Sequence, residues 1–233
     1  MLAYRNGAVV GFGRERHPRA GRHATRRFGG LTDMKLVLAS NNAGKLGELQ
    51  ALLAPLGVTL IAQGDLNVPE APEPHRTFME NALAKARNAA HHTGLAAIAD
   101  DAGLCVEAFG GLPGVDTAYY ATQFGYAKGD ANNVRALLEQ MQGVSDRRAA
   151  LVSTLVAVRR ADDPEPLIAS GRAPGLITEK PIGENGFGFD PVMWLPEFEK
   201  TFAELPTDVK NANSHRGKAA QQMLALMQSH WFA

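Results

Sequence analysis

The sequence predicts an α/β fold built on a mixed β-sheet. Apolar runs of strand length alternate with segments of helical periodicity, which favours parallel strands connected by helices. In the second half, two β-branched runs, 149–159 and 166–172, flank the turn Asp162-Asp163-Pro164 and predict an antiparallel hairpin. The 233 residues, 45% of them hydrophobic, suffice for one sizeable core or for two lobes packed around a cleft.

The first 33 residues differ in composition from the rest of the chain. They contain seven Arg, no Lys and only two acidic residues, and they show no apolar periodicity. An apolar strand begins abruptly at Met34, so we place the start of the folded domain there, as one domain over 34–233. Residues 1–33 are expected to be a disordered tail or a start assigned too far upstream, with an Arg-rich transit peptide as the alternative.

The composition of residues 34–233 excludes several classes of protein. These residues carry 17 basic and 22 acidic side chains, and this excess of acid disfavours non-specific binding to nucleic acid. The lone Cys105 cannot form an intrachain disulfide, and no Cys/His cluster at zinc spacing accompanies it. No apolar run approaches the roughly 18 residues of a membrane span. We therefore expect a protein of the reducing cytoplasm with neither a nucleic-acid nor a membrane partner.

The first elements follow one another closely along the chain. Residues 35–39 predict an apolar strand, 40–45 have loop chemistry, and leucines at helical spacing occupy 46–55. Residues 58–61 predict a second strand. The proline-rich segment 68–74 is predicted to be an exposed loop.

The central elements lead to an acidic pair. The capping-box sequence Thr77-Phe78-Met79-Glu80 predicts the start of an alanine-rich helix that runs to about His91. Residues 96–99 predict a short buried strand that ends on Asp100-Asp101.

The remaining elements complete the α/β pattern. Residues 110–114 have turn chemistry, 132–141 predict a helix, and the hairpin described above follows. Residues 183–188 form a glycine-rich loop. Ser214 is predicted to cap a final helix that runs through Met227.

The polar turn from Ser40 to Lys45 is a candidate phosphate site. It leaves a strand and enters a helix, where free backbone N–H groups and the helix dipole favour an anion, and Lys45 adds a full charge. It is not a Walker A loop, because the GxxxxGK[ST] spacing is absent and Leu46 replaces the metal-binding hydroxyl. A turn without a ligand remains the alternative for these residues taken alone.

Asp100 and Asp101 are candidate metal ligands. Mg²⁺ prefers carboxylate oxygens together with water and substrate phosphates, and Glu73 in the preceding loop could complete such a site. The alternative is that Asp100 caps a helix while Asp101 is solvated. On the helix after Thr77, the polar face with Glu80, Asn81 and Lys85 could reach into a cleft, but for these residues taken alone a solvated face is the favoured interpretation.

Aromatic and basic residues near the end of the chain could enclose a base. Phe187 and Phe189 lie between glycines, and aromatic rings can stack on a purine. Lys210, His215 and Arg216 can bond the edge of a base or its phosphates. The alternatives are core packing for the two phenylalanines and a surface ion pair for Arg216.

The ordered set of motifs resembles the inosine/xanthosine triphosphate pyrophosphatase family, and the similarity extends from residue 34 to about 230. The motifs are Ser40-Asn41-Asn42-x-x-Lys45, Thr77-Phe78-x-Glu80-Asn81-Ala82-x-x-Lys85-Ala86, Ala99-Asp100-Asp101-x-Gly103-Leu104, Gly186-Phe187-Gly188-Phe189-Asp190-Pro191 and Ser214-His215-Arg216-Gly217. The resemblance implies a two-lobed α/β fold around a long mixed sheet with flanking helices, an active-site cleft between the lobes, bound Mg²⁺ and a homodimer. It implies hydrolysis of non-canonical purine nucleoside triphosphates, dITP, ITP, XTP and dXTP, between the α- and β-phosphates.

The resemblance also implies a role for each matching residue. Asp101 would be the catalytic carboxylate, and Glu73 and Asp101 would hold the metal. The triphosphate would lie on Ser40, Asn41, Asn42, Ala43, Gly44 and Lys45. The base and the remaining phosphate contacts would fall to Phe187, Gly188, Phe189, Asp190, Lys210, His215 and Arg216.

The sequence departs from the family pattern at two places. Ala102 occupies a position that is commonly Ser, so any contact with substrate there comes from its backbone N–H. Tyr119-Tyr120 replaces a basic residue followed by an aromatic one, so Tyr119 receives no phosphate role. Two alternatives to an enzyme remain at this level: a nucleotide sensor that has lost its chemistry, and a nucleic-acid-binding module led by the Arg-rich residues 1–33.

Overall fold

The computed structural model describes residues 34–232, which form a seven-stranded sheet with helices on both faces. The order of the strands across the sheet is β2-β1-β3-β4-β5-β6-β7. The strands are β1 (Lys35–Leu38), β2 (Thr59–Ala62), β3 (Ala97–Val106), β4 (Arg148–Val158), β5 (Leu167–Ile177), β6 (Met193–Leu195) and β7 (Lys200–Thr201). The helices are α1 (Ala43–Leu53), α2 (Phe78–Thr93), α3 (Asp130–Gln140), α4 (Thr207–Asn213) and α5 (His215–His230). The predicted tail, residues 1–33, lies outside the described residues.

The sheet is mixed, as the sequence predicts. Strands β2, β1 and β3 run parallel, and all the pairs from β3 to β7 are antiparallel. The predicted hairpin is formed by β4 and β5, and the buried carboxylate of Asp163 accepts the backbone N–H groups of Arg159 and Glu165 in its turn. Among the described helices, none is long and apolar enough to cross a membrane.

Three apolar clusters divide the molecule into two lobes that share the long strands β3, β4 and β5. In one lobe the sheet is covered on one face by α1 and α5 and on the other by the alanine-rich face of α2. In the second lobe the far halves of the same strands pack with α3, β6 and the loops beside them. The long strands therefore form a continuous support beneath the junction of the lobes.

The length of β3 corrects the sequence prediction. The strand predicted over 96–99 was too short, because β3 continues to Val106 and the pair Asp100-Asp101 lies in its interior. Two charges in succession indicate a strand end only when they are solvated, whereas both of these side chains are buried. Helix α1 begins at Ala43, before the predicted start at Leu46, because Asn42 provides its N-cap.

Helix α4 and strands β6 and β7 lack a clear sequence signal. Strands β6 and β7 have three and two residues, too few to show a period. The other predicted elements are confirmed within a few residues of their bounds, including α5 and its cap Ser214, which accepts the N–H of Gly217.

Strand β5 and helix α5 approach each other closely at Gly171. A Cβ atom at this position would lie 2.0 Å from the carbonyl oxygen of His215 and 2.6 Å from the backbone nitrogen of Ala219. Backbone atoms cannot move aside as a flexible side chain can. Gly171 therefore sets the depth at which the first turn of α5 lies on the sheet.

We expect Gly171→Ala to lower the free energy of unfolding by roughly 1–3 kcal/mol, because the added methyl overpacks a contact between two backbones. The matched control is Gly47→Ala, since Gly47 lies in α1 with no atom within 4 Å of its ideal Cβ position. That control is expected to stabilise the protein by about 0.5–1 kcal/mol. Urea unfolding of the two variants measures both, and equal midpoints would contradict the close approach.

Candidate active site

The candidate site lies where β1 ends and its neighbour β3 continues. Strand β1 stops at Leu38, and the N–H of Ala39 still donates to the carbonyl oxygen of Ile98 in β3. Beyond this point the chain of β1 turns away into α1, and the following residues of β3 are no longer paired with β1. Ligands of open α/β sheets commonly bind outside the carboxyl ends of strands at such a divergence.

The turn after β1 presents backbone N–H groups at the start of α1. The side chain of Asn42 accepts the N–H of Lys45 at 3.1 Å, and the hydroxyl of Ser40 accepts the N–H of Asn42 at 3.1 Å. Ala43, Gly44 and Lys45 form the first turn of α1 and bring the positive end of its dipole to the cleft. The geometry of this turn suits an anion.

Asp100 and Asp101 point to opposite faces of the sheet. Successive side chains of a strand alternate between faces, so two neighbouring aspartates cannot serve one site from the same side. Asp100 faces α1 and α5, where it contacts Lys45 and Arg216. Asp101 faces α2, where it contacts Lys85. The pair therefore consists of two chemically separate carboxylates.

Asp100 is a buried anion held by three partners, and only 1% of its surface is exposed. It accepts hydrogen bonds from Ser153 at 2.6 Å and from Arg216 at 3.0 and 3.1 Å, and its carboxylate lies 3.0 Å from the ammonium of Lys45. Burial disfavours the charged form, but the charges of Arg216 and Lys45 hold the pKa of Asp100 well below its usual range. All its oxygens have partners, so Asp100 orients cations.

The charge network continues from Asp100 to the glycine-rich loop. Arg216 also donates to Glu48 of α1, which accepts a bond from Lys210 at 3.1 Å. Lys210 lies 2.8 Å from Asp190, and Asp190 accepts the backbone N–H of Phe187 at 2.9 Å. Five elements of the structure thus meet through alternating charges.

Asp101 is the second, less completely bonded carboxylate. Its Oδ1 atom lies 2.7 Å from the ammonium of Lys85, which lies 2.9 Å from Glu73. Burial raises the pKa of Asp101 despite the opposing charge of Lys85. Burial also disfavours the charged form of Glu73, but the hydrogen bond and charge of Lys85 lower the pKa of Glu73 overall. Among the described residues, the other oxygen, Oδ2 of Asp101, is buried without a hydrogen-bond partner.

Lys45 also contacts the backbone of β3. Besides its contact with the carboxylate of Asp100, its ammonium donates to the backbone carbonyl oxygen of Asp100 at 3.3 Å. This carbonyl belongs to the peptide that joins Asp100 to Asp101, so the anion-binding turn lies beside the part of β3 that carries Asp101.

The Asp101–Glu73 pair fits a hard metal ion that takes its other ligands from water or phosphate. The partnerless Oδ2 atom of Asp101 and the exposed carboxylate of Glu73 are oxygen ligands of the kind that Mg²⁺ prefers. Within residues 34–232, no group of three or more His, Cys, Asp or Glu side chains is placed to hold a metal alone. Mg²⁺ commonly keeps several waters and binds through one or two carboxylates, so a pair is sufficient.

The two phenylalanines of the glycine-rich loop have different surroundings. Phe187 is half-buried, and its ring lies 4.8 Å from the ammonium of Lys210 and 5.6 Å from the guanidinium of Arg216. Phe189 is buried in the core of the second lobe, which is the alternative that the sequence left open for it. Phe187 is therefore the aromatic that lies beside the cations of the site. Phe189 instead packs in the core and holds the glycine-rich loop against the second lobe.

Gly188 and His215 add polar groups around Phe187. The N–H of Gly188 donates to Asp130 at 2.8 Å, which fixes the loop to α3. His215 opens α5 and is buried, and burial keeps its pKa well below the ordinary value, with the charge of Arg216 adding to the effect. The imidazole is thus neutral at pH 7, and its Nδ1 atom is another buried polar atom without a partner in the described part of the chain.

Three residues of the site received no role, or a different one, in the sequence analysis. Lys85 was interpreted as part of a solvated face, which is wrong, because only 12% of its side chain is exposed and it joins Asp101 to Glu73. Glu48 and Ser153 were not singled out. Glu48 follows Lys45 by three residues, so the sequence does indicate that the two share a helix face. Ser153 reaches Asp100 only because β4 pairs with β3, which the sequence does not show.

The two departures from the family pattern lie in different surroundings. Ala102 is partly buried in β3 opposite Ser153 of β4, and it follows Asp100 on the same face. Tyr119 is 53% exposed, and the ammonium of Lys128 lies 4.1 Å from the centre of its ring.

Fold and site together define an α/β protein whose cleft combines cations for a polyanion with a carboxylate pair for a hard metal ion. The sequence model of the Ham1 family matches residues 36–226. The chain belongs to the Ham1 family. A dITP/XTP pyrophosphatase of Paracidovorax citrulli is 74% identical over 199 residues, which are 85% of this chain and 100% of that protein. A dITP/XTP pyrophosphatase of Polaromonas naphthalenivorans is 72% identical over 201 residues, with the same two coverages.

Solved structures confirm the fold. A HAM1 protein from Coxiella burnetii aligns with a TM-score of 0.78 at 41% identity and covers 84% of this chain and 99% of its own. The Ham1 protein of Staphylococcus aureus aligns with a TM-score of 0.74 at 34% identity and covers 84% and 98%. The resemblance drawn from the five motifs is thus confirmed.

We expect Asp100→Asn to lower the free energy of unfolding at pH 7 by about 3–5 kcal/mol, because it leaves buried cations without their anion. A folded-state pKa that is held low gives stability that is present above the unfolded value and is lost as pH falls. The difference between wild type and variant should therefore shrink below pH about 4. Chemical unfolding at several pH values measures this difference.

The control for this prediction is Asp146→Asn. Asp146 pairs with Arg148 on the exposed surface, so its loss should leave the unfolding midpoint almost unchanged. If both variants unfolded with the midpoint of the wild type at pH 7, the buried network would have no energetic weight.

Proposed function

We propose that this chain hydrolyses dITP, ITP, XTP and dXTP to the nucleoside monophosphate and pyrophosphate, and thereby removes non-canonical purines from the nucleotide pool. The observation that carries the proposal is the meeting of an anion-binding turn with a partnerless carboxylate oxygen, on Asp101, at one strand edge. The relatives at 72–74% identity are dITP/XTP pyrophosphatases, which supports the same reaction.

The triphosphate would lie along the turn from Ser40 to Lys45. Lys45 uses its ammonium for the carboxylate and carbonyl oxygens of Asp100, which leaves one of its three donors for a phosphate oxygen among the contacts of residues 34–232. Asp100 thus holds Lys45 in place before the substrate arrives. Fixed cations of this kind stabilise the leaving pyrophosphate without reorganisation during the reaction.

Asp101 would accept the proton of the attacking water. Burial raises the pKa of this carboxyl group, and its Oδ2 atom, which has no hydrogen-bond partner among the described residues, is the acceptor available to that proton. Lys85 lies beside it and limits the charge that gathers at this point. Asp101 and Glu73 would hold Mg²⁺, which when bound neutralises charge on the phosphates.

The base would lie between Phe187 and the first turn of α5. Inosine and xanthosine carry a 6-oxo acceptor where adenine carries a 6-amino donor, so donors at this edge would be left unpaired by ATP. Backbone N–H groups at the start of α5 and the neutral ring of His215 are the available polar groups. Arg216 directs three donors to Asp100 and Glu48, which fits a positioning role behind the base.

We also propose a homodimer that acts in the cytoplasm. The outer face of β5 offers a surface for a second copy, because its alternate residues from Ile168 to Leu176 are exposed, with the two end residues 42% and 38% accessible. This face is of mixed polarity, because Ser170 and Arg172 lie between Ile168 and the apolar residues Pro174 and Leu176. A free, half-buried Cys105 is compatible with a reducing compartment.

A substrate panel tests the proposed reaction. With Mg²⁺, the purified chain should release pyrophosphate from dITP and XTP roughly 10- to 100-fold faster than from ATP, because one unpaired buried donor costs about 1–3 kcal/mol. Pyrophosphate and orthophosphate are assayed separately for each nucleotide. Release of orthophosphate would identify a phosphatase and contradict the bond that we propose is cut.

Two variants complete this test. Asp101→Asn should reduce turnover of dITP by roughly 10²–10⁴-fold, the usual contribution of a general base, while dITP still binds. The control is Asp146→Asn. It removes only an exposed ion pair with Arg148, so this variant should turn over dITP like the wild type. Binding of dITP by the wild type with no turnover would instead favour a nucleotide sensor.

The catalytic domain, as we propose it, consists of residues 34–233. A chain that starts at Met34 should keep wild-type release of pyrophosphate from dITP, because the match to the family model begins at residue 36 and the site residues named above lie within 34–232. Steady-state rates of the two chains provide the comparison. A large loss of activity on truncation would mean that the Arg-rich segment takes part in function.

A further inference from the structure

Glu73 lies on a segment without regular secondary structure, which must nevertheless hold its carboxylate beside Asp101. The segment runs from residue 68 to 76 and contains three prolines, Pro69, Pro72 and Pro74, which restrict the backbone but cannot donate hydrogen bonds. Its position therefore depends on contacts made by other elements. The pair of Lys85 with Glu73 alone is a partly exposed ion pair, and such pairs are weak constraints.

One face of α2 supplies the missing contacts. Asn81, Lys85 and Asn88 follow one another at intervals of four and three residues, which places them on one side of the helix. All three side chains reach the segment: Lys85 reaches Glu73, and the two asparagines reach its backbone. Helix α2 thus acts as a template along which the segment is laid.

Asn81 makes the stronger of the two backbone contacts. Its Oδ1 atom accepts the N–H of His75 at 3.0 Å, and its Nδ2 atom donates to the carbonyl oxygen of the same residue at 3.2 Å. Asn81 itself is only 1% exposed, whereas His75 is exposed and the two bonds are partly buried. His75 lies two residues after Glu73, so the contact fixes the backbone that carries the carboxylate.

The other end of the segment is tied less firmly. Asn88 donates to the carbonyl oxygen of Pro69 at 2.8 Å, and Asn41 of the phosphate turn donates to Glu70 at 3.0 Å. Both contacts are exposed to solvent and each uses a single hydrogen bond. Asn81 is thus the one described side chain that grips both backbone polar groups of a segment residue.

We propose that Asn81 is a positioning residue, which sets the distance between Glu73 and Asp101 and thereby the affinity of this carboxylate pair for a divalent cation. An effect of Asn81 on catalysis rests on the proposed function. Its effects on the order of segment 68–76 and on cation binding apply to the chain without nucleotide.

The test compares Asn81→Ala with Asn133→Ala in the full chain. Asn133 of α3 is a close match, because it is 3% exposed and also grips a backbone, accepting the N–H of Ala121 at 2.9 Å and donating to the carbonyl oxygen of Ala118 at 3.3 Å. It lies in the second lobe, away from Glu73. Both variants lose two hydrogen bonds from a buried amide side chain to the backbone, so a general loss of stability should appear in both.

Two readouts separate positioning from stability. Binding of Mn²⁺ in the absence of nucleotide, titrated by electron paramagnetic resonance, should weaken about tenfold in Asn81→Ala, as is typical when a residue behind a metal ligand is removed. Trypsin should cleave after the exposed Arg76 faster in this variant, because the segment is released from α2. Asn133→Ala should match the wild type in both readouts while losing thermal stability.

A second variant keeps the proposal testable if Asn81→Ala folds poorly. Asn88→Ala removes one exposed contact at the far end of the segment and should give smaller changes of the same sign in Mn²⁺ affinity and cleavage. The proposal is overturned if Asn81→Ala keeps wild-type Mn²⁺ binding and cleavage, or if Asn133→Ala changes both equally. Neither readout needs turnover, so a wild type that releases no pyrophosphate would refute the proposed function and leave this result to be judged separately.

Discussion

The site depends on one buried carboxylate, that of Asp100. Taking an anion out of water costs several kcal/mol, and this cost is offset only when nearby cations and donors are well placed. Here Lys45, Arg216 and Ser153 come from three different elements and meet at this carboxylate. Because loss of either cation would leave the buried anion less completely neutralised, α1, α5 and the sheet are held in one arrangement. The cleft is therefore organised before any ligand enters.

The alternation of side chains along β3 divides the work of the acidic pair. Asp100 is saturated by partners and serves as the centre of a charge network that extends to the glycine-rich loop. Asp101 keeps an oxygen free of partners and a raised pKa on the other face. A single pair of neighbouring residues thus supplies both the rigidity of the cation cluster and a basic group on the opposite face of the strand.

Local chemistry made much of the fold predictable. The mixed sheet, the β4–β5 hairpin and the caps at Thr77 and Ser214 follow from periodicity and from turn and cap residues, which act over a few positions. The full length of β3 was not predictable, because its interior charges are tolerated only through partners far along the chain. The same limit applied to Lys85 and Glu48: whether a polar helix face is solvated or buried depends on what packs against it. The residue types of Lys85 and Glu48 indicate that each can form an ion pair, but only the packing of the folded chain determines which residues they pair with.

The alternation of side chains along β3 limits where the chain can gain or lose residues. Inserting or deleting one residue in a strand moves every later side chain to the opposite face. Ile98 of β3 packs beneath α5. An insertion or deletion of one residue between Ile98 and Asp100 would turn Asp100 toward α2 and Asp101 toward the cation cluster. Substitutions such as the alanine at 102 leave this order intact. Length variation in this family should therefore collect in the loops and be absent from the central strand.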